Sequence, residues 1–288
     1  MLTLFFKKLV AWALGAASPP PLVAEPPEVI TADPPEAITA EPLEAIMAEP
    51  PEAIIAEPPA DPPEIVTLRS MSTDRALWRV AARGLDIGAV VDVGASNGMW
   101  SAVCEKHFPA SYYLLIEAHE PHEEALKAYC GARSNAQYVL AAAGDECGEI
   151  YFYFDDTDLF RGAAAKVPLE GARKIVRQTT IDHEIGARGL PGPYLIKLDT
   201  HGYELPILRG AKETLRKANL VVIETYNFRI CEGSLLFHEM VAYMRELGFG
   251  VIDMSEPLWR REFDLAFWQI DLFFVPLDRP EFQTNTYR

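Results

Sequence analysis

Hydrophobic and polar positions keep two different rhythms on either side of about residue 70. Downstream, residues 72–83 repeat apolar side chains at helical spacing and meet Gly84 where a helix cap belongs, which predicts a leading helix. Ala89–Val93 is a short β-branched run that ends in Asp-Val-Gly-Ala-Ser-Asn-Gly, and Met99–Phe108 returns to helical period before Pro109. This reads as strand, glycine turn and helix. The alternation continues through strands at Tyr112–Ile116, Gln137–Ala142, Tyr194–Leu198 and Leu220–Ile223, with helices at Pro121–Tyr129 and Tyr203–Ala218. Between Ala142 and Tyr194 the pattern is irregular, apart from a Tyr-Phe-Tyr-Phe run at 151–154 that suits core and edge packing, or, through Tyr151, Tyr153, Asp155 and Asp156, sugar contacts. A helix near Leu236–Leu247 and strands near Gly250–Met254 and Gln269–Val275 complete the pattern.

Strands separated by helices of ten or so residues imply βαβ units and a buried, largely parallel sheet. The last two strands have no helix between them, so they pair as an antiparallel hairpin. The expected fold class is therefore α/β: a doubly wound, mostly parallel, seven-stranded Rossmann-like sheet with an antiparallel C-terminal edge hairpin.

Upstream the rhythm is neither helix nor strand. Residues 24–66 repeat Ala-Glu-Pro-Pro-Glu-Ala-Ile in units of about eight residues, with eleven acidic side chains and no basic one. Proline at every repeat interrupts helix and removes ladder donors, which favours an extended, self-repelling linker over 19–68; a docking strip for a basic partner is the alternative. Removing those eleven acids takes the formal net charge from -16 to about -5, so the acidity describes the linker more than the domain at 69–288. Residues 1–18 are apolar around Lys7 and Lys8 and too short to span a bilayer. They suit an amphipathic segment in a membrane interface, or an inert terminus. Cys104, Cys130, Cys147 and Cys231 form no metal-binding spacing, which favours free thiols in the cytoplasm, with residues 1–18 as a candidate contact to the inner membrane face.

Chemistry concentrates at two strand ends. Asp92, Gly94 and Gly98, with Ala95 in the turn, form D-x-G-x-x-x-G after the first strand of the sheet, where open α/β sheets bind ligands. A dinucleotide site would have glycine in place of Ser96, and a carboxylate at Asp92 would repel pyrophosphate. That carboxylate suits an amino group and a sulfonium instead. Glu117, at the end of the next strand, can take two ribose hydroxyls, and Gly144 with Asp145 follows the third strand where an adenine edge could lie. These residues predict binding of S-adenosylmethionine. In Lys197-Leu-Asp199-Thr-His201-Gly202, the alternating polar residues would share one face if the strand persisted. His201 is the first candidate base for a hydroxyl acceptor and Asp199 the second. No metal is predicted, although Asp199 with Glu224 could hold a divalent ion. A net-negative domain without a basic stripe argues against nucleic acid.

The segments VVDVGASNGMWS at 90–101, LLIEA at 114–118, AAAGDECGEIYFY at 141–153, TTID at 179–182, YLIKLDTHGYELPILRGA at 194–211 and VVIET at 221–225 resemble the FkbM-type methyltransferases. The resemblance covers about residues 72–276 and implies a class I methyltransferase that modifies a hydroxyl of a sugar, glycan or polyketide-like small molecule. It implies donor contacts at Asp92, Gly94, Gly98 and Glu117. His201 departs from the family's usual Glu or Gln, which suits acceptor specificity better than shared chemistry. A nicotinamide-dependent oxidoreductase and a catalytically silent donor-binding module tethered by the linker are the competing readings.

Overall fold

A computed structural model describes residues 71–155, 158–168, 174–260 and 264–285. The expectations for residues 1–18 and 19–68, and for Asp156, lie outside them. Helix α1 (Thr73–Ala81) starts at Ser72, whose hydroxyl accepts the Arg75 N–H. It leads into β1 (Ala89–Val93), α2 (Met99–Glu105), β2 (Tyr112–Glu117), α3 (Glu123–Gly131) and β3 (Ala136–Leu140). After an excursion described below come β8 (Tyr194–Leu198), the short helices α5 (Glu204–Arg209) and α6 (Lys212–Leu215), and β9 (Ala218–Tyr226). Helix α7 (Phe237–Glu246), β10 (Phe249–Trp259) and β11 (Phe267–Pro276) end the fold.

The main sheet has the order β10-β11-β9-β8-β1-β2-β3. Strands β9, β8, β1, β2 and β3 run parallel, while β11 is antiparallel to both β9 and β10. The seven strands and the antiparallel hairpin agree with the pattern in the sequence. Every residue of β1 and β8 is buried, as expected of parallel strands covered on both faces. The pleat divides their side chains. Val91, Val93, Leu114 and Ile116 pack into one core, and Val90, Tyr113 and Leu115 into the other, against Leu77, Val80 and Leu126. Each fully buried aliphatic side chain contributes roughly 1.5–3 kcal/mol, so the two cores fix the strand ends on which the site stands.

The irregular reading of residues 142–194 is corrected. Strands β4 (Ala142–Ala143), β5 (Gly148–Asp155), β6 (Asp158–Ala165) and β7 (Lys174–Thr179) form a second sheet of order β4-β7-β5-β6. The 151–154 run alternates with period two inside β5, and Phe152 is buried. Helix α4 (Ile181–Arg188) follows, begun by the Thr180 hydroxyl accepting the His183 N–H at 3.0 Å. The strand expected at Gln137–Ala142 splits, because the chain leaves the main sheet at Ala141 and joins the second. The helix expected at Tyr203–Ala218 also breaks, at Gly210. A side chain there would put Cβ 2.0 Å from the Gly144 carbonyl oxygen, so only glycine lets the two backbones touch. Among the described residues no helix is long and apolar enough to cross a membrane.

Candidate active site

A cavity of about 270 Å³ opens at the carboxyl ends of β1, β2 and β8, with the second sheet along one side. Its floor begins at Gly94, the first residue after β1. Gly94 has φ +70°, and a Cβ would lie 1.9 Å from the Asp199 carbonyl oxygen, so the close approach of two strand ends requires glycine. The Gly94 and Ala95 amides both donate to the Ile116 carbonyl, at 3.0 and 3.3 Å, which ties the turn to β2.

Of the predicted donor-side residues, Gly94 and Glu117 line the cavity, together with Ser96. Glu117 is held rigidly. Its Oε2 accepts the Ser96 N–H and its Oε1 the His119 N–H, both at 2.7 Å. Asp92 is placed differently from the expectation: it is fully buried under the turn and does not line the cavity. The register of β1 against β8 sets Asp92 beside Lys197, and their side chains pair at 3.2 Å. Asp92 Oδ2 also accepts the Ser101 hydroxyl of α2 at 2.7 Å. The Lys197 ammonium donates to the Gly94 carbonyl at 2.9 Å and lies 3.3 Å from Asp199 Oδ2. Burial alone would lower the Lys197 pKa, but Asp199 and Asp92 outweigh it and hold the group charged.

The four other predicted contacts do not line the cavity. Gly98 caps α2 with its Cα against Tyr129 and Leu115, and Ala95 is packed in the core under α2. Gly144 abuts the Gln178 side chain, while Asp145 pairs with Lys166 at 2.8 Å. The cavity wall after β3 is made instead by Ala141, Ala142 and Ala143, facing Phe152 and Gly162–Ala164 of the second sheet. His119 and His122 also line it; they follow Glu117 closely in the sequence, and His119 packs against the Phe154 ring at 4.9 Å. Composition alone gave no signal for the second-sheet wall, since it depends on the pairing of β5 with β6.

At the opposite end Asp199, His201 and Glu224 come together. The strand does not persist past Leu198, and His201 sits at φ +52°. The turn is held from inside by buried Glu204, whose Oε1 accepts the Gly202 N–H at 2.9 Å and the Thr200 hydroxyl at 3.1 Å. His201 Nδ1 lies 3.0 Å from the Gly162 carbonyl. A carbonyl only accepts, so Nδ1 carries a proton, and in the neutral tautomer Nε2 presents its lone pair to the cavity. Nε2 stands 3.8 Å from Asp199 Oδ1 and 3.9 Å from Glu224 Oε2. Burial would raise the Asp199 carboxyl, but Lys197 and His201 hold it below the usual carboxylate range. Glu224 is pushed well above that range, chiefly by burial and then by Asp199 and Asp271. Burial, followed by the charge of Asp199, pushes Asp271 to about 7.

The cavity thus has a wall of alanines facing Phe152, a fixed carboxylate at one end and an imidazole among carboxylates at the other. A family model described as the methyltransferase FkbM domain matches residues 92–251. No curated protein matches the chain. The solved methyltransferase FkbM from Methylobacillus flagellatus KT is similar at 17% identity and a TM-score of 0.46, covering 70% of this chain and 48% of its own. The chain therefore spans about half the length of that relative. A precorrin-6y C5,15-methyltransferase from Geobacter metallireducens GS-15 is similar at 12% identity and a TM-score of 0.39, covering 70% of this chain and 86% of its own.

Proposed function

The chain belongs to the FkbM methyltransferase family and has a class I methyltransferase-like fold, and from that premise we propose that it is an S-adenosylmethionine-dependent O-methyltransferase. Its acceptor in this reading is a hydroxyl of a sugar, glycan or polyketide-like small molecule. The observation that carries the reading is Glu117, whose two oxygens are fixed by backbone amides at the rim of a cavity that ends in the Asp199–His201 pair.

The residues fit the donor. A carboxylate with each oxygen already oriented keeps lone pairs for two ribose hydroxyls, and the Gly94 turn, which lines the cavity with Glu117, would face the amino-acid end. Ala141–Ala143 opposite Phe152 make a slot with small side chains on one side, suited to a flat base. Bound there, S-adenosylmethionine would supply an electrophilic methyl carbon and leave as a neutral thioether. Asp92 then acts as a positioning residue, holding Lys197 and through it the Gly94 carbonyl. His201 and Asp199 are the residues that act on the acceptor hydroxyl, whose proton must leave as the oxygen attacks.

Calorimetry with S-adenosylmethionine and S-adenosylhomocysteine tests the donor half. Glu117→Ala is expected to weaken binding about 10- to 100-fold, the effect of losing charge-assisted hydrogen bonds worth roughly 1.5–3 kcal/mol. A wild-type chain that binds neither compound at millimolar concentration overturns the reading. Transfer of labelled methyl to a panel of sugars and polyketides tests the acceptor half, and donor binding without transfer to any of them favours the silent module.

A further inference from the structure

We propose that Asp199, His201 and Glu224 form a divalent-cation site at the acceptor end of the cavity, one that takes Mn²⁺ or a similar ion through an imidazole and two carboxylates. The proposal rests on the methyltransferase reading only for what the ion does to the acceptor.

Geometry comes first. One ligand atom from each residue lies within 4.8 Å of the others, and all three residues line the cavity. An octahedral ion with bonds of about 2.1 Å needs ligands about 3.0 Å apart when adjacent and about 4.2 Å when opposite. The separations of 3.8 and 3.9 Å from His201 Nε2 lie between those values, so closing on an ion takes side-chain rotation and leaves the backbone in place.

Each ligand is also oriented from outside the group, the arrangement that metal sites use to aim their donors. The Gly162 carbonyl takes the His201 Nδ1 proton and so turns the Nε2 lone pair inward. Lys197 occupies Asp199 on Oδ2, leaving Oδ1 directed at the imidazole. Glu224 accepts from the Tyr226 hydroxyl on Oε2 and from the Gln269 amide on Oε1. Its side chain is only 10% exposed, and among the described residues no lysine or arginine pairs with it. Lys197 is shared between Asp92 and Asp199, which among the described residues leaves Glu224 and its neighbour Asp271 without a lysine or arginine partner. Nitrogen and oxygen donors in this mixture suit Mn²⁺ better than Ca²⁺, which takes oxygen alone.

Three protein ligands leave three octahedral positions. Two adjacent hydroxyls of a sugar-like acceptor can fill two of them, which would place the acceptor and lower the pKa of the bound hydroxyl. In that arrangement the O–H bond breaks with its proton passing to water, and His201 serves as a ligand instead of a proton acceptor.

The test is Mn²⁺ titration of the full chain, followed by the electron paramagnetic resonance signal of free Mn²⁺. The expected result is one ion per chain at micromolar to submillimolar affinity, with nitrogen modulation from a coordinated imidazole. Glu224→Gln and His201→Asn should each weaken it at least 10-fold, the usual range for loss of a metal-site group. Asparagine tolerates the left-handed conformation of residue 201, so that variant keeps the turn. Absence of Mn²⁺ binding up to millimolar concentration, or binding unaffected by both substitutions, overturns the site. Donor calorimetry on the same wild-type sample separates the two readings: a chain that binds donor but no Mn²⁺ loses only the cation site.

Discussion

The two ends of the cavity handle their carboxylates in opposite ways. Glu117 has both oxygens satisfied by amide donors, which are part of the backbone and do not move when a ligand arrives. Glu224 sits with Asp199 and Asp271 nearby and is driven toward its neutral form. A carboxylate fixed by backbone dipoles recognises; a group of carboxylates short of positive charge awaits a partner. The contrast teaches that rigidity and unmet charge can be built within one sheet, a few strands apart, by whether amides or other acids face the side chain.

Lys197 joins the two ends, so its removal should have the largest effect. Lys197→Met leaves Asp92 buried without its cation and is expected to cost about 3–5 kcal/mol of stability, read by denaturant unfolding. It should also weaken donor binding, because the Gly94 carbonyl loses its ammonium donor. Stability and donor affinity both within experimental error of wild type would break the idea that one lysine serves both ends. Gly94→Ala comes next, with an expected loss of about 3 kcal/mol from the clash with the Asp199 carbonyl and the positive φ. The melting temperature measures it, and an unchanged value would mean that the strand ends separate freely.

Glu184 sharpens the comparison at the smallest scale. It is more deeply buried than Glu224, and it is bonded to the Thr179 hydroxyl at 2.5 Å and paired with Arg188 and with Arg177 at 2.8 Å. Burial would raise its pKa, yet the Thr179 hydroxyl and the two guanidinium groups together hold it below the ordinary 4.5. A lowered folded pKa adds stability above the unfolded value, and that increment disappears as pH falls through the folded value. Because Arg177 is half exposed, Glu184→Gln should cost only about 1–2 kcal/mol near neutral pH. The gap between wild type and variant should shrink below about pH 4.5 in thermal melts. A gap that stays constant to pH 3 would show that the charge plays no part.

The seven strands of the main sheet and its closing hairpin were legible in the sequence because buried parallel strands read as apolar runs, whereas their order was not. Asp92 was legible as a strand-end carboxylate but not as a buried one. Its surroundings depend on the register that brings Lys197 alongside, and one strand's sequence does not contain its neighbour's register. The second sheet escaped notice for a related reason: β6 holds Gly162 and three alanines, a composition with little strand preference, and it becomes a strand by pairing with β5. Helix α4 is only eight residues long, with Ile181 and Ile185 as its buried aliphatics, too short a run to establish a period. Gly144 and Gly210 were visible as glycines, whereas their mutual contact was not.

The hydrogen bond from His201 Nδ1 to the Gly162 carbonyl joins the loop after β8 to a strand of the other sheet. It works as a latch whose state is read through the ring. Any ligand or proton taken up at Nε2 makes the N–H at Nδ1 a stronger donor and tightens the latch, and a well-seated β6 in turn improves Nε2 as a binding atom. Linkage makes this reciprocal, so the docking of one sheet edge and the occupancy of the acceptor end rise and fall together.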